Sequence, residues 1–230
     1  KNFIRREQFP YQSALGWEYD SGDYHTAMKQ AMEKIDYQGL RAEQKRRQAD
    51  FKAGKTREIM GIGVSFFTEI VGAGPSKNCD ILGIAMFDSC EIRVHPTGSA
   101  IARVGTKSTG QGHETTWAQI IATEMGIPSA DVMVEEGNTD TAPYGLGTYG
   151  SRSTPVAGAA IAMAARKIKA KAQMIAAYML EVHEDDLQFD IDGFRVKGLP
   201  EKFKSMKEIA WAAYHSVPPG MEPGLEAVSY

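Results

Sequence analysis

Residues 105–117 read GTKSTGQGHETTW and residues 147–155 read GTYGSRSTP. Each is a glycine- and hydroxyl-rich loop directly before a stretch with helical spacing, and the rest of the chain is best read outward from this pair. A helix begins with backbone N–H groups that lack intrahelical partners and with the positive end of its macrodipole, so it attracts phosphate-like anions. Two such starts predict a large phosphate-bearing ligand gripped at two points. In the first loop, Gly110 and Gly112 let the backbone approach a ligand without a Cβ in the way. Gln111 between them carries both a donor and an acceptor, which suits a planar heterocycle or a metal-oxo group. Thr115 and Thr116 fall in the first helical turn. In the second loop, Ser151, Ser153 and Thr154 supply hydroxyls, and Arg152 adds a fixed charge suited to phosphate. Thr154 is the expected N-cap, with Pro155 at the first helical position. Neither loop has the wording of a P-loop or of a dinucleotide-binding GxGxxG turn.

Around the loops, the periodicities alternate between strand and helix. Residues 1–22 mix aromatics, Pro10 and Gly16 and predict an irregular arm. Ala27, Met28, Ala31, Met32 and Ile35 recur at three- and four-residue spacing, so a helix is expected from about Tyr24 to Ala53. Its charged second half, with Arg46 beside Arg47, reads as a solvated face rather than a nucleic-acid contact. Glu58–Val71 predicts a strand, followed by a loop over Gly72–Asn78. Met86–His95 and Ser99–Gly105 predict a hairpin turning at Pro96-Thr97-Gly98. A helix over Thr115–Met125 should end at Gly126 and Pro128. A short strand at Val132–Glu136 follows, then a long alanine-rich helix from about Pro155 to Glu181. Short strands are expected near Leu187–Phe189 and Phe194–Val196, a helix at about Met206–His215 and a strand from Gly224. Separated strands and helices of this kind favour an α+β fold.

The 230-residue chain has a formal charge of −3, with 43% hydrophobic and 24% charged residues. That is the profile of a globular protein without the basic excess of a nucleic-acid binder. Two cysteines, Cys79 and Cys90, make no disulfide framework, and a reducing compartment is the simplest expectation. No signal peptide is visible, and Arg166, Lys167, Lys169 and Lys171 interrupt the most apolar helix. His113-Glu114-Thr115-Thr116-Trp117 begins like a zinc HExxH motif but has Trp117 where the second ligand belongs, so no metal ligand is assigned. The opening Lys1-Asn2-Phe3-Ile4 and the closing Gly224–Tyr230 both read as interrupted elements, which predicts a piece of a longer polypeptide.

Three stretches, GQGHETTWAQIIATEMGIP, VEEGNTDTAPYGLGTYGSRSTPVAGAA and KNFIRREQFPYQSALGWEYDSGDY, resemble the large subunit of the molybdenum-hydroxylase (xanthine oxidase) family, most closely its carbon-monoxide-oxidising branch. The resemblance covers the whole chain. It implies one partial molybdopterin-binding domain over residues 1–230, with mixed sheets and packed helices, and a molybdopterin cytosine dinucleotide cofactor carrying molybdenum. Carried over by position, Gly110, Gln111, Gly112 and His113 would meet the pterin and the molybdenum-centre oxygens, with Gln111 as the catalytic candidate. Tyr149, Gly150, Ser151, Arg152, Ser153 and Thr154 would hold the pterin and phosphate side.

The reaction implied is oxidation of CO to CO2 with water as the oxygen source. Electrons would leave through FAD on a medium subunit and 2Fe-2S clusters on a small one, in a dimer of heterotrimers. The implied location is cytoplasmic, with association at the inner face of the cytoplasmic membrane. The family's copper-holding cysteine loop would precede the matched segment and its catalytic glutamate would follow it. Neither Cys79 nor Cys90 sits in that loop's wording, so copper has no ligand here and the chain is expected to carry part of a cradle. An aldehyde or N-heterocycle hydroxylase of the same family and a non-catalytic assembly module are the alternatives. Split from its other half, the chain is expected to be poorly soluble.

Overall fold

The computed structural model describes residues 2–75 and 84–230. They form two compact units, Lys1–Phe67 and Thr68–Tyr230. Cys79 and the end of the Gly72–Asn78 loop lie outside the described residues.

The first unit opens with a small antiparallel ribbon, β1 (Tyr11–Gln12) against β2 (Glu18–Tyr19). Two helices follow, α1 (Tyr24–Lys34) and α2 (Tyr37–Lys52). The single helix expected here breaks at Asp36, which takes up φ 48° and N-caps α2 by accepting from the Gly39 N–H. Neither helix buries a residue. On α2 the side chains of Arg46 and Arg47 pair with Glu43, and their hydrogen bonds hold its carboxyl down to about 2. Both arginines are therefore occupied within their own helix face.

Residues 58–71 form no strand, contrary to the alternation of their sequence. A strand needs a hydrogen-bonded neighbour, and no described segment supplies one. Ile59, Val64, Phe67 and Val71 accordingly remain exposed.

The second unit carries the core. The expected hairpin forms between β3 (Cys90–Val94) and β4 (Ala100–Val104), with Cys90 opposite Val104. After α3 (His113–Met125), β5 (Val132–Glu136) returns parallel to β4, pairing Ala100 with Val132 and Val104 with Glu136. α4 (Gly158–Leu180) then covers the sheet. Beyond it lies a three-stranded antiparallel meander of β6 (Leu187–Asp190), β7 (Gly193–Val196) and β8 (Leu199–Ser205). β8 was not expected from the sequence, because its charged, proline-bearing run LPEKFKS hides the alternation. α5 (Met206–His215) starts from a reciprocal capping box of Ser205 and Glu208. β9 (Leu225–Ser229) completes a four-stranded sheet of order β5-β4-β3-β9.

Alternation along β3 and β4 turns Cys90, Ile92, Val94, Ala100, Ala102 and Val104 toward the helices, where all are buried. The opposite face carries a charged ladder in which Arg103 bridges Glu91 and Glu135. Alanines on α4, among them Ala164, Ala165 and Ala172, are buried and let it lie close to the sheet. Cys90 is fully enclosed, and burial pushes its thiol up, so it is not a nucleophile. Among the described residues no helix is long and apolar enough to cross a membrane. The architecture is α+β.

The two units should differ sharply in protection. In hydrogen exchange on the isolated chain, amides of β3, β4 and α4 should exchange slowly, while those of α1 and α2, which bury no side chain, should exchange near the unprotected rate. Equal protection of α1 and α4 would contradict this.

Candidate functional site

Both glycine-rich loops lie in the second unit, at the same end of the sheet. Among the described residues β4 and β5 make the parallel pairing, so their carboxyl ends point the same way. The loop from Gly105 to Gly112 leaves β4, and the loop from Gly137 to Arg152 leaves β5. Each then turns back into the helix that covers the sheet. This is the crevice beyond parallel strand ends in which α/β sheets hold ligands.

The loops are fastened to one another. A Cβ added to Gly105 would stand 2.6 Å from Gly145 Cα, so backbone meets backbone there and only glycine fits. The Lys107 N–H donates to Thr148 Oγ1 at 3.1 Å, and the hydroxyls of Ser153 and Thr148 are 3.1 Å apart. Ser89 Oγ–H donates to the Tyr144 carbonyl.

The first loop ends at Gly112, the N-cap of α3, which has φ 80° and no side-chain cap. The N–H groups of His113, Glu114 and Thr115 therefore have no side-chain cap, and the Thr116 N–H is the first to close on the Gly112 carbonyl. Gly110 has φ 106°, a region L side chains rarely adopt, and added Cβ atoms at Gly110 and Gly112 would meet open space. The space above the backbone is free for a ligand. Gly110, Gln111 and Gly112 are exposed. The Gln111 side chain folds back, its Oε1 accepting from the Thr109 N–H at 2.6 Å and from the Thr109 hydroxyl at 3.1 Å. The amide expected to act as both donor and acceptor therefore presents its NH2 as a donor. Thr116 Oγ1 donates to the Gly112 carbonyl, so its hydroxyl is taken up within the helix.

His113 differs from its three predecessors. It is buried, and its Nδ1 lies 3.1 Å from Glu136 Oε1. Glu136 was missed at the sequence level. The same carboxylate accepts from Trp117 Nε1 at 2.6 Å, from the Ser108 N–H at 2.9 Å and from the Thr106 hydroxyl. The signal was present in VMVEE: Glu136 is in phase with Val132 and Val134, so it had to face the core and find donors there.

In the second loop Tyr149, Ser151 and Thr154 are exposed and Gly150 is half-buried. Ser151 takes φ 50°, an unusual conformation for a residue with a side chain, and its carbonyl accepts from the Gly72 N–H at 3.3 Å. Two expectations are corrected here. Thr154 does not cap a helix: the chain enters α4 through a π-helical turn, Ser153–Ala157, whose N-cap position is Arg152 and which has no side-chain cap. Arg152 is not available to phosphate. Its side chain is fully buried and is consumed by Asp88 Oδ2 at 2.5 Å and by the carbonyls of Ala73, Met86 and Gly147. Burial pushes the Asp88 carboxyl up, against the pull of Arg152 and of the Leu146 N–H. With Arg152 facing inward, Lys107 is the loop cation left exposed.

The exposed groups thus form a donor-rich rim of uncapped helix N–H groups, the Gln111 amide, the Ser151 and Thr154 hydroxyls and Lys107, over an internally satisfied base. Among the described residues no buried side-chain N or O lacks a partner. The rim fits an extended ligand that carries phosphate and many acceptors.

A family profile described as the molybdopterin cofactor-binding domain matches residues 30–230, and the chain belongs to that family. Over its full 230 residues it is 77% identical to the carbon monoxide dehydrogenase large chain of Afipia carboxidovorans, covering 28% of that protein. It is 68% identical to the protein of the same name from Hydrogenophaga pseudoflava, again over 100% of this chain and 28% of the relative. Its fold superposes on the Cu,Mo-CO dehydrogenase crystal structure in the carbon monoxide reduced state with a TM-score of 0.74, at 77% identity, over 99% of this chain and 29% of that one. The chain therefore spans a little over a quarter of the length of these relatives.

The buried pair under the second loop gives a direct test. Arg152→Met leaves Asp88 enclosed without its cation and should lower stability by about 3–5 kcal/mol. Replacing both together, Arg152→Met with Asp88→Leu, should recover much of that loss in denaturant unfolding. A single variant as stable as the parent would show that the pair does not hold the loop.

Proposed function

We propose that this chain grips the pterin and phosphate side of a molybdopterin cytosine dinucleotide within the large subunit of a carbon-monoxide-oxidising molybdenum hydroxylase. The observation that carries the reading is the convergence of two donor-rich loops beyond the carboxyl ends of β4 and β5. The two large-chain relatives at 77% and 68% identity support carbon monoxide as the substrate. Aldehydes and N-heterocycles are the alternative substrates of the same family.

The first-turn N–H groups of α3 and the Ser151 and Thr154 hydroxyls would hold phosphate and pterin oxygens. The Gln111 NH2 would donate at the molybdenum end, while His113, Gly150 and Ser153 shape the loops from below and Tyr149 borders the second. The molybdenum centre, when bound, supplies the two-electron oxidation in which CO and water give CO2, two protons and two electrons. Copper would be held by a residue outside this chain. We further propose that the whole chain serves as part of one cofactor-binding domain. FAD on a medium subunit and 2Fe-2S clusters on a small subunit would carry the electrons away, in a cytoplasmic dimer of heterotrimers at the inner face of the membrane.

Metal and nucleotide analysis of the intact complex tests this. Molybdenum, copper and CMP released on hydrolysis are expected together. Molybdenum and CMP without copper would move the substrate to the alternatives, and an active complex without molybdenum would overturn the proposal. Gln111→Ala and Ser151→Ala should each weaken cofactor retention by about 1–3 kcal/mol, as expected when a buried ligand atom loses its partner. Unchanged occupancy in both would reject the two-loop cradle.

A further inference from the structure

We propose that Glu136 is the positioning residue of the first loop, a buried carboxylate that fixes where Gly110, Gln111 and Gly112 stand relative to the second loop. The inference rests on the cradle reading above and deepens it.

The Glu136 side chain is only 4% exposed. An acid so placed is costly unless donors surround it. Its donors come from both feet of the loop. Thr106 and Ser108 lie on the arm that leaves β4, and His113 and Trp117 lie in the first turns of α3. A carboxylate only accepts, so His113 carries its proton on Nδ1. One side chain thus closes the loop as a ring, tying its exit from the sheet to its entry into the helix.

Among the described residues, Gly110 and Gln111 at the apex have few other ties. Gln111 Oε1 bonds only to Thr109, two residues away, and the Gly110 N–H reaches only Ser108 Oγ at 3.5 Å. Gly112 is held from the helix side, its carbonyl accepting from the Thr116 N–H and hydroxyl, and the Lys107 N–H to Thr148 Oγ1 bond ties the loop to its neighbour. Glu136 occupies the last position of β5, so it belongs to the strand that leads into that second loop. It couples the two halves of the cradle through the sheet. Glutamine in its place would keep the shape but turn one acceptor into a donor facing N–H groups that already point at it.

The test uses the assembled complex, with molybdenum and CMP content measured beside the melting temperature. Glu136→Gln should lower occupancy about tenfold, the scale of a buried donor left unpaired. Thr106→Val removes one donor without changing shape, and should lower occupancy about threefold with little change in melting. It decides the question where Glu136→Gln fails to assemble. A purely structural role would lower the melting temperature and leave occupancy of the assembled enzyme at the parental level. That outcome overturns the proposal. Gln111→Ala and Ser151→Ala, measured in parallel, separate the two claims. Occupancy lost in those but kept in Glu136→Gln and Thr106→Val removes Glu136 alone. Occupancy kept in all four removes the cradle as well.

Discussion

Val104 and Glu136 end neighbouring strands that run the same way, and that parallel pairing determines what the second unit can do. Antiparallel neighbours would have sent the two loops to opposite ends of the sheet. A parallel pair requires a crossover, here α3, and the crossover brings β5 back beside β4 with its carboxyl end at the same edge. Both loops then emerge together, and both following helices begin with their N-terminal N–H groups near that edge. The contact of Gly105 with Gly145 marks where the second loop crosses the first, held there by Ser89 on the Tyr144 carbonyl and by Asp88 on the Leu146 N–H.

Charge is divided between base and rim in a way composition alone does not show. Beneath the loops, Asp88, Arg152 and Glu136 are buried and consumed by internal partners, whereas Lys107 and Asp140 on the loops are exposed. Breaking such an arrangement from one side costs several kcal/mol, whereas an exposed pair like those on α2 is screened by solvent and contributes little. The buried charges therefore set geometry. The rim works with neutral or partial donors: helix N–H groups, hydroxyls and an amide, with Lys107 as its exposed cation. Such donors are directional, which suits a ligand with many acceptors at fixed positions better than a cluster of long, mobile cations would.

The sequence made the elements of the second unit legible because their periods are strong. Apolar alternation gave β3, β4 and β5, and the run of alanines gave α4. Elements whose signal depends on a neighbour were misread. Residues 58–71 alternate like a strand but have no pairing edge among the described residues, while β8 pairs with β7 despite a polar sequence. At the site, the glycines and hydroxyls were visible as types, and their clustering at helix starts held. The direction of each side chain was not visible. Arg152 looked like a phosphate ligand because arginine beside serine and threonine usually is one, yet buried carbonyls and Asp88 claim it from positions up to 79 residues away. Glu136 was overlooked for the opposite reason, since an acid at a strand end reads as solvated until its phase with Val132 and Val134 is counted.

Arg152 and Glu136 follow one rule. A loop that must present backbone N–H groups to a ligand cannot use them to hold itself in place, so its anchoring passes to side chains underneath. Under the second loop that anchor is a guanidinium, which donates and so gathers carbonyls: Ala73, Met86 and Gly147. Under the first it is a carboxylate, which accepts and so gathers N–H and O–H groups. The choice matches what each loop has to spare. The second loop turns carbonyls inward at Gly147, while the first turns donors inward at Thr106 and Ser108. Opposite charges thus do the same mechanical work, and neither faces the ligand.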